Sequence, residues 1–113
     1  MEKEKTATTG NQLKPDIEVM HPGVMIKNEL IKRGITQKQF AIATHFTPSV
    51  LNEVFNGKRP LSVETALLIG AALRINPDIW IKQQTLYDKA RLARDPQFQD
   101  RLALIKSRST TLK

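Results

Sequence analysis

Cysteine is absent from the 113 residues. That excludes disulfides and thiolate metal sites and leaves the redox compartment unread. Long hydrophobic runs are absent too. The longest, Ala66 to Leu73, is far too short to cross a bilayer, which takes about 20 apolar residues. The amino-terminal MEKEKTATTG lacks the apolar segment of a secretory leader, so a cytoplasmic protein without membrane attachment is the expectation. There is no glycine-rich phosphate loop, no nucleophile motif, no internal repeat and no strand-like alternation. The two histidines, His21 and His45, have no carboxylate or thiol neighbour at ligand spacing. The expectation is therefore a non-enzyme with no catalytic residue, no metal site and no cofactor.

Positive charge is abundant. The net charge is +7 with a pI near 10.0, which points to an anionic partner. From Ile81 to Lys113 eight basic residues face three acidic ones, so this last third supplies +5 of the total. At 40% hydrophobic and 26% charged, the composition is that of an ordinary globular chain with room for one domain.

Local signals divide the chain into three stretches. Residues 1–16 mix charged and small polar residues without apolar periodicity and bury too little to offset their ordering entropy, so they read as a flexible tail. Residues 17–94 read as a domain of five helices, and 95–113 as a helical extension or tail. The first helix opens at Pro22, presents Val24, Ile26, Leu30 and Ile31 as one apolar arc, and stops at Gly34. Ile35 is placed to pack back over its end. The second opens on a capping box, Thr36 with Gln39, and turns Phe40 and Ala43 inward, with Ala41 small where a neighbour approaches. The turn Thr44-His45-Phe46 puts His45 where a positive φ is expected. Thr47 caps the third helix, Pro48 starts it and Asn56-Gly57 closes it, with Val50 or Leu51, Val54 and Phe55 facing inward. Ser62 caps the fourth, VETALLIGAALR, whose apolar faces make it the expected centre of the core. Asn76-Pro77 starts the fifth, and after Asp95-Pro96 a short sixth helix is possible. The fold class is all-α: a compact five-helix repressor-like domain containing a helix-turn-helix.

A helix that enters a major groove needs short polar side chains toward the bases, apolar ones toward its own core and cations flanking it for phosphates. Helix three fits. Ser49, Val50, Asn52 and Glu53 are the candidate base readers: asparagine pairs bidentately with adenine, and Val50 suits a thymine methyl. Gln37, Lys38, Thr47, Lys58 and Arg59 are the candidate phosphate ligands, with the amides at the start of helix two also available. The bland alternative for each is a solvated surface residue. Trp80 and Tyr87, seven apart on helix five, are either core or part of a subunit interface.

Two resemblances follow from these residues. Thr36-Gln37, Phe40-Ala41, Thr47 and Asn56-Gly57 resemble the helix-turn-helix of the phage-repressor and Cro-like (XRE) superfamily, with His45 in place of its usual turn glycine. His21-Pro22-Gly23 and WIKQQTLYDKAR, Trp80 to Arg91, are similar to HigA-type antitoxins, so that the likeness covers roughly residues 20 to 91. The second resemblance implies a homodimer that binds a double-stranded, inverted-repeat operator and represses its own operon. It also implies a tight complex with a small HigB-type toxin, a ribosome-dependent mRNA endoribonuclease. Such toxins are usually basic and so is this chain; a toxin contact would then use a locally acidic or apolar patch, with Glu18, Glu29 and the amino-terminal tail as candidates. The rival readings are a stand-alone, prophage-like repressor without a toxin and a chiefly protein-binding module.

Overall fold

The computed structural model describes residues 19–112; the expected flexible tail over 1–16 and the candidate Glu18 lie outside them. Among the described residues every regular element is helical: α1 (Pro22–Arg33), α2 (Gln37–Thr44), α3 (Pro48–Phe55), α4 (Val63–Leu73), α5 (Asp78–Ala93), α6 (Pro96–Arg108) and a final 3-10 turn, Ser109–Thr111. Two compact units divide them, one spanning Met20–Tyr87 and the other taking in the chain from Asp88 onward.

Local chemistry sets the helix ends. His21 caps α1 with its ring: Nδ1 accepts from the Gly23 amide at 2.9 Å, with Pro22 in the first turn. Gly34, at φ 71°, ends it in a Schellman motif: Gly34 donates to the Ile31 carbonyl at 3.0 Å and Ile35 to that of Leu30 at 2.9 Å, and Ile35 packs against the core. The capping box at Thr36 and Gln39 is complete, 2.9 Å one way and 3.0 Å the other. His45 adopts φ 62°, as its place in the turn requires. Arg74 ends α4 in the same left-handed region, φ 58°, with no sequence signal to announce it. Replacing His45 by glycine should remove the Cβ strain of that conformation and stabilise the unit by about 0.5–1 kcal/mol, read as a rise in the urea midpoint; an unchanged or lowered midpoint would show that the ring makes up for the strain.

Within the Met20–Tyr87 unit, α1 and α2 pack on α3, and α4 packs on α2. Ile26 and Leu30 of α1, Phe40 and Ala41 of α2, Leu51, Val54 and Phe55 of α3, Ala66, Ile69 and Leu73 of α4 and Trp80 of α5 fill the core, with Leu61 from the loop. The Phe40 and Phe55 rings lie 6.5 Å apart. Arg33 joins α1 to α4, its Nη1 donating at 2.9 Å to the Leu73 carbonyl at the end of that helix, where a cation is favoured.

Three burial expectations need correction. Ile31 is 65% exposed and Ala43 is exposed: each lies beyond the edge of the buried arc, which Ile26 and Leu30 make on α1 and Phe40 and Ala41 on α2. The fourth helix is not the buried centre. Ala66, Ile69, Gly70 and Leu73 face inward, but Val63, Leu67 and Leu68 are 56%, 53% and 50% exposed. Apolar periodicity shows which side of a helix can be buried, not how many neighbours are there to bury it. In the other unit, α6 forms a regular 13-residue helix, started by Asp95, whose Oδ1 accepts from the Gln97 and Phe98 amides, with Pro96 at its first position. None of its residues is buried.

Candidate nucleic-acid interface

The outward face of α3 is set by its inward one. Leu51, Val54 and Phe55 are almost fully buried, and at 100° per residue this places Ser49, Asn52, Glu53 and Asn56 together on the opposite side. All four are exposed, and Val50 sits half-buried at the edge of the stripe. A helix with one wholly apolar side and one short-chained polar side is a shape that can lie in a groove while staying attached to its own core.

Three of the four outward side chains, Asn52, Glu53 and Asn56, are tied to one another or to their surroundings. Asn56 Nδ2 donates to Asn52 Oδ1 at 3.1 Å, and Lys27 Nζ, from α1, donates to Asn56 Oδ1 at 3.4 Å. The chain Lys27–Asn56–Asn52 therefore fixes which way the Asn52 carboxamide points, leaving its NH2 outward as a donor and one lone pair of Oδ1 as an acceptor. Arg59 grips Glu53 through Nε and Nη2, at 2.9 and 2.7 Å to the same oxygen. Both side chains are about half exposed, so the pair is worth little in water and readily exchanges for a stronger partner such as a phosphate.

The remaining site candidates flank this face. Thr47 caps α3, Oγ1 accepting from the Val50 amide at 3.4 Å. Lys58 and Arg59 are exposed just past the other end, on a loop that the Lys58 amide ties to the Glu53 carbonyl at 2.8 Å and that Gly57 turns at φ 72°. Gln37 and Lys38 occupy the first turn of α2, half-buried and exposed respectively; the capping box there uses the amide of Gln39. Inspection of the sequence alone missed Lys27 and Asn56. Asn56, four residues after Asn52, lies within reach of an i, i+4 rule; Lys27, 29 residues from its partner, does not.

The residues before α1 and along α5 form a clasp behind α3. His21 is 5% exposed, stacks edge-on against Tyr87 at 4.9 Å and supports Gly57, where an added Cβ would rest 3.5 Å from its ring. Gly23 lies against the backbone of α3: a Cβ there would overlap the Val54 carbonyl oxygen and come within 2.7 Å of its carbon. From α5, Gln83 Nε2 donates to the Met20 carbonyl at 3.0 Å, and buried Gln84 accepts from the Leu61 amide at 2.8 Å. Trp80, 3% exposed, is core; the alternative that placed it at a subunit surface is corrected, because the ring is enclosed by its own unit.

Comparison with known proteins agrees with this architecture. Residues 26–80 match the model of a family described as helix-turn-helix. A protein named "Virulence-associated protein I", from Dichelobacter nodosus, is 29% identical over 85 residues, 74% of this chain and 79% of that one. "Virulence-associated protein A'", from the same organism, is 36% identical over 69 residues, and the aligned part is 60% of each chain. The "Uncharacterized HTH-type transcriptional regulator YddM" of Escherichia coli (strain K12) is 26% identical over 69 residues, 61% of this chain and 73% of that one. No helix among the described residues is long and apolar enough to cross a membrane. The family match runs from Ile26 in α1 to Trp80 in α5 and takes in both α2 and α3, so this stretch of the all-helical chain is similar to a helix-turn-helix family.

Proposed function

We propose that the chain is an operator-binding antitoxin of the HigA type, which represses its own operon as a homodimer and neutralises a small HigB-type ribosome-dependent endoribonuclease. The observation that carries the DNA-reading part is the outward face of α3, polar, short-chained and oriented by the Lys27–Asn56–Asn52 chain. Ser49, Val50, Asn52 and Glu53 read bases. Gln37, Lys38, Thr47, Lys58 and Arg59 hold the backbone, Arg59 leaving Glu53 for a phosphate as the complex forms. Two copies place two recognition helices in successive major grooves, so half-sites lie about one helical turn, roughly 34 Å, apart.

Binding isotherms on operator and scrambled duplexes test the division of labour. Asn52→Ala should cost roughly 1–3 kcal/mol on the operator and relax preference at one base pair. Arg59→Ala should weaken both duplexes alike and lower the salt slope by about one. Equal losses on both duplexes for Asn52→Ala would remove it from the base-reading set.

The antitoxin part rests on His21–Gly23 and Trp80–Arg91, and its test is co-purification with the product of the adjacent reading frame followed by mass measurement. A second reading, a repressor without a toxin, is favoured by one observation. Met20, His21, Gly23, Trp80, Gln83, Gln84 and Tyr87 all make contacts inside their own unit, and Glu29, a candidate toxin contact, is paired with Arg33 at 2.8 Å. A lone homodimer recovered from the native operon would decide for the repressor.

A further inference from the structure

From the exposed face of α4 we infer that this helix pairs with α4 of a second copy, antiparallel about a two-fold axis at Leu67; the inference rests on the homodimer of the proposed function and assigns its surface. Val63, Leu67, Leu68, Ala71 and Ala72 are exposed, and Glu64 is the one charged residue among them. Val63, Leu67 and Ala71 make a continuous i, i+4, i+8 ridge, the row that packs into the matching groove of another helix.

Three features select a second copy as the occupant. The ridge is self-complementary: Leu67 is its midpoint, with Val63 four residues before and Ala71 four after, so a two-fold places Leu67 on Leu67 and each Val63 over the partner's Ala71, large against small. No lysine or arginine lies anywhere from Pro60 to Leu73 in a chain of net charge +7, so two copies meet where their mutual repulsion is least. The two Glu64 carboxylates fall on opposite sides of the axis, about 9 Å apart along the helices and so largely screened at physiological salt. An exposed apolar pair on α5, Ile79 and Leu86 at 54% and 52%, lacks these features, because Lys82 lies beside it at helical spacing.

The absence of native cysteine makes the test direct. Leu67→Cys, oxidised in the full-length chain, should form a covalent dimer that still binds operator DNA, because a residue on the axis brings two sulfurs within bridging distance. Leu86→Cys under the same conditions should stay uncross-linked. In sedimentation equilibrium, Leu67→Lys should raise the dimer dissociation constant at least roughly tenfold with an unchanged helical circular-dichroism signal. If wild-type protein sediments as a dimer while Leu67→Cys does not cross-link and Leu67→Lys stays dimeric, the α4 pairing is overturned and the homodimer stands. Another segment of the chain, or another partner, then covers that face. If wild-type protein is a monomer both free and on the operator, the homodimer reading fails as well.

Discussion

Gly23→Ala should destabilise the Met20–Tyr87 unit by on the order of 3–5 kcal/mol, a large share of what a domain of this size has to lose. Helix propensity taken alone argues the other way: alanine inside a helix is favoured over glycine by up to about 1 kcal/mol. Sterics decide. The added methyl would occupy the space of the Val54 carbonyl, and that carbonyl belongs to α3, which buried Leu51 and Phe55 hold in place. Relief requires α1 to lift off α3, which opens the contacts of Ile26 and Leu30 and breaks the His21 cap. Gly34→Ala is the control. It has the positive φ that Gly23 lacks but meets no atom within 4 Å, so it should cost about 1 kcal/mol. Urea unfolding of both variants separates a contact requirement from a conformational one, and a Gly23→Ala protein at least as stable as wild type would refute the close approach. Any variant that folds should also bind operator DNA more weakly, since Gly23 presses on the helix that carries Asn52.

Trp80→Ala carries the second large effect, about 3–5 kcal/mol lost. The ring is 3% exposed and packs in the cluster with Leu73 and Ile69. Its removal leaves a cavity that a helix pinned by Gln83 and Gln84 cannot collapse into. The loss should be independent of protein concentration, because the partners of Trp80 belong to its own chain. A stability deficit that shrinks as protein concentration rises would instead place the ring at a subunit contact.

The helix ends were legible in the sequence because each depends on a few neighbouring residues. Thr36 with Gln39, Thr47 with Pro48, Ser62 and Gly34 all act where their spacing places them. His45 was legible as a positive-φ position because the turn between α2 and α3 leaves no other choice; Arg74 was not, because nothing in its side chain marks the left-handed region. The polar face of α3 followed from the position of its apolar one. What sequence could not show was contact across distance. Lys27 reaches Asn56, Arg33 reaches the end of α4, and Gly23 touches Val54 only once the chain has folded. The exposure of Ile31, Leu67 and Leu68 was hidden for the related reason that an apolar residue looks the same whether its partner lies in the same chain, in another, or nowhere.

The clasp behind α3 separates the frame of the unit from its outward face. His21, Gly23, Trp80, Gln84 and Tyr87 hold one another or the backbone of their own unit, while the residues that meet solvent on α3 do none of that bracing. On the proposed function, a chain could therefore exchange Ser49, Val50 and Asn52 for another set and recognise a different operator on an unchanged frame. Altering the clasp would disturb every operator alike. The clasp residues carry the frame; on the proposed function, what the chain recognises is written in the few positions that the frame leaves outward.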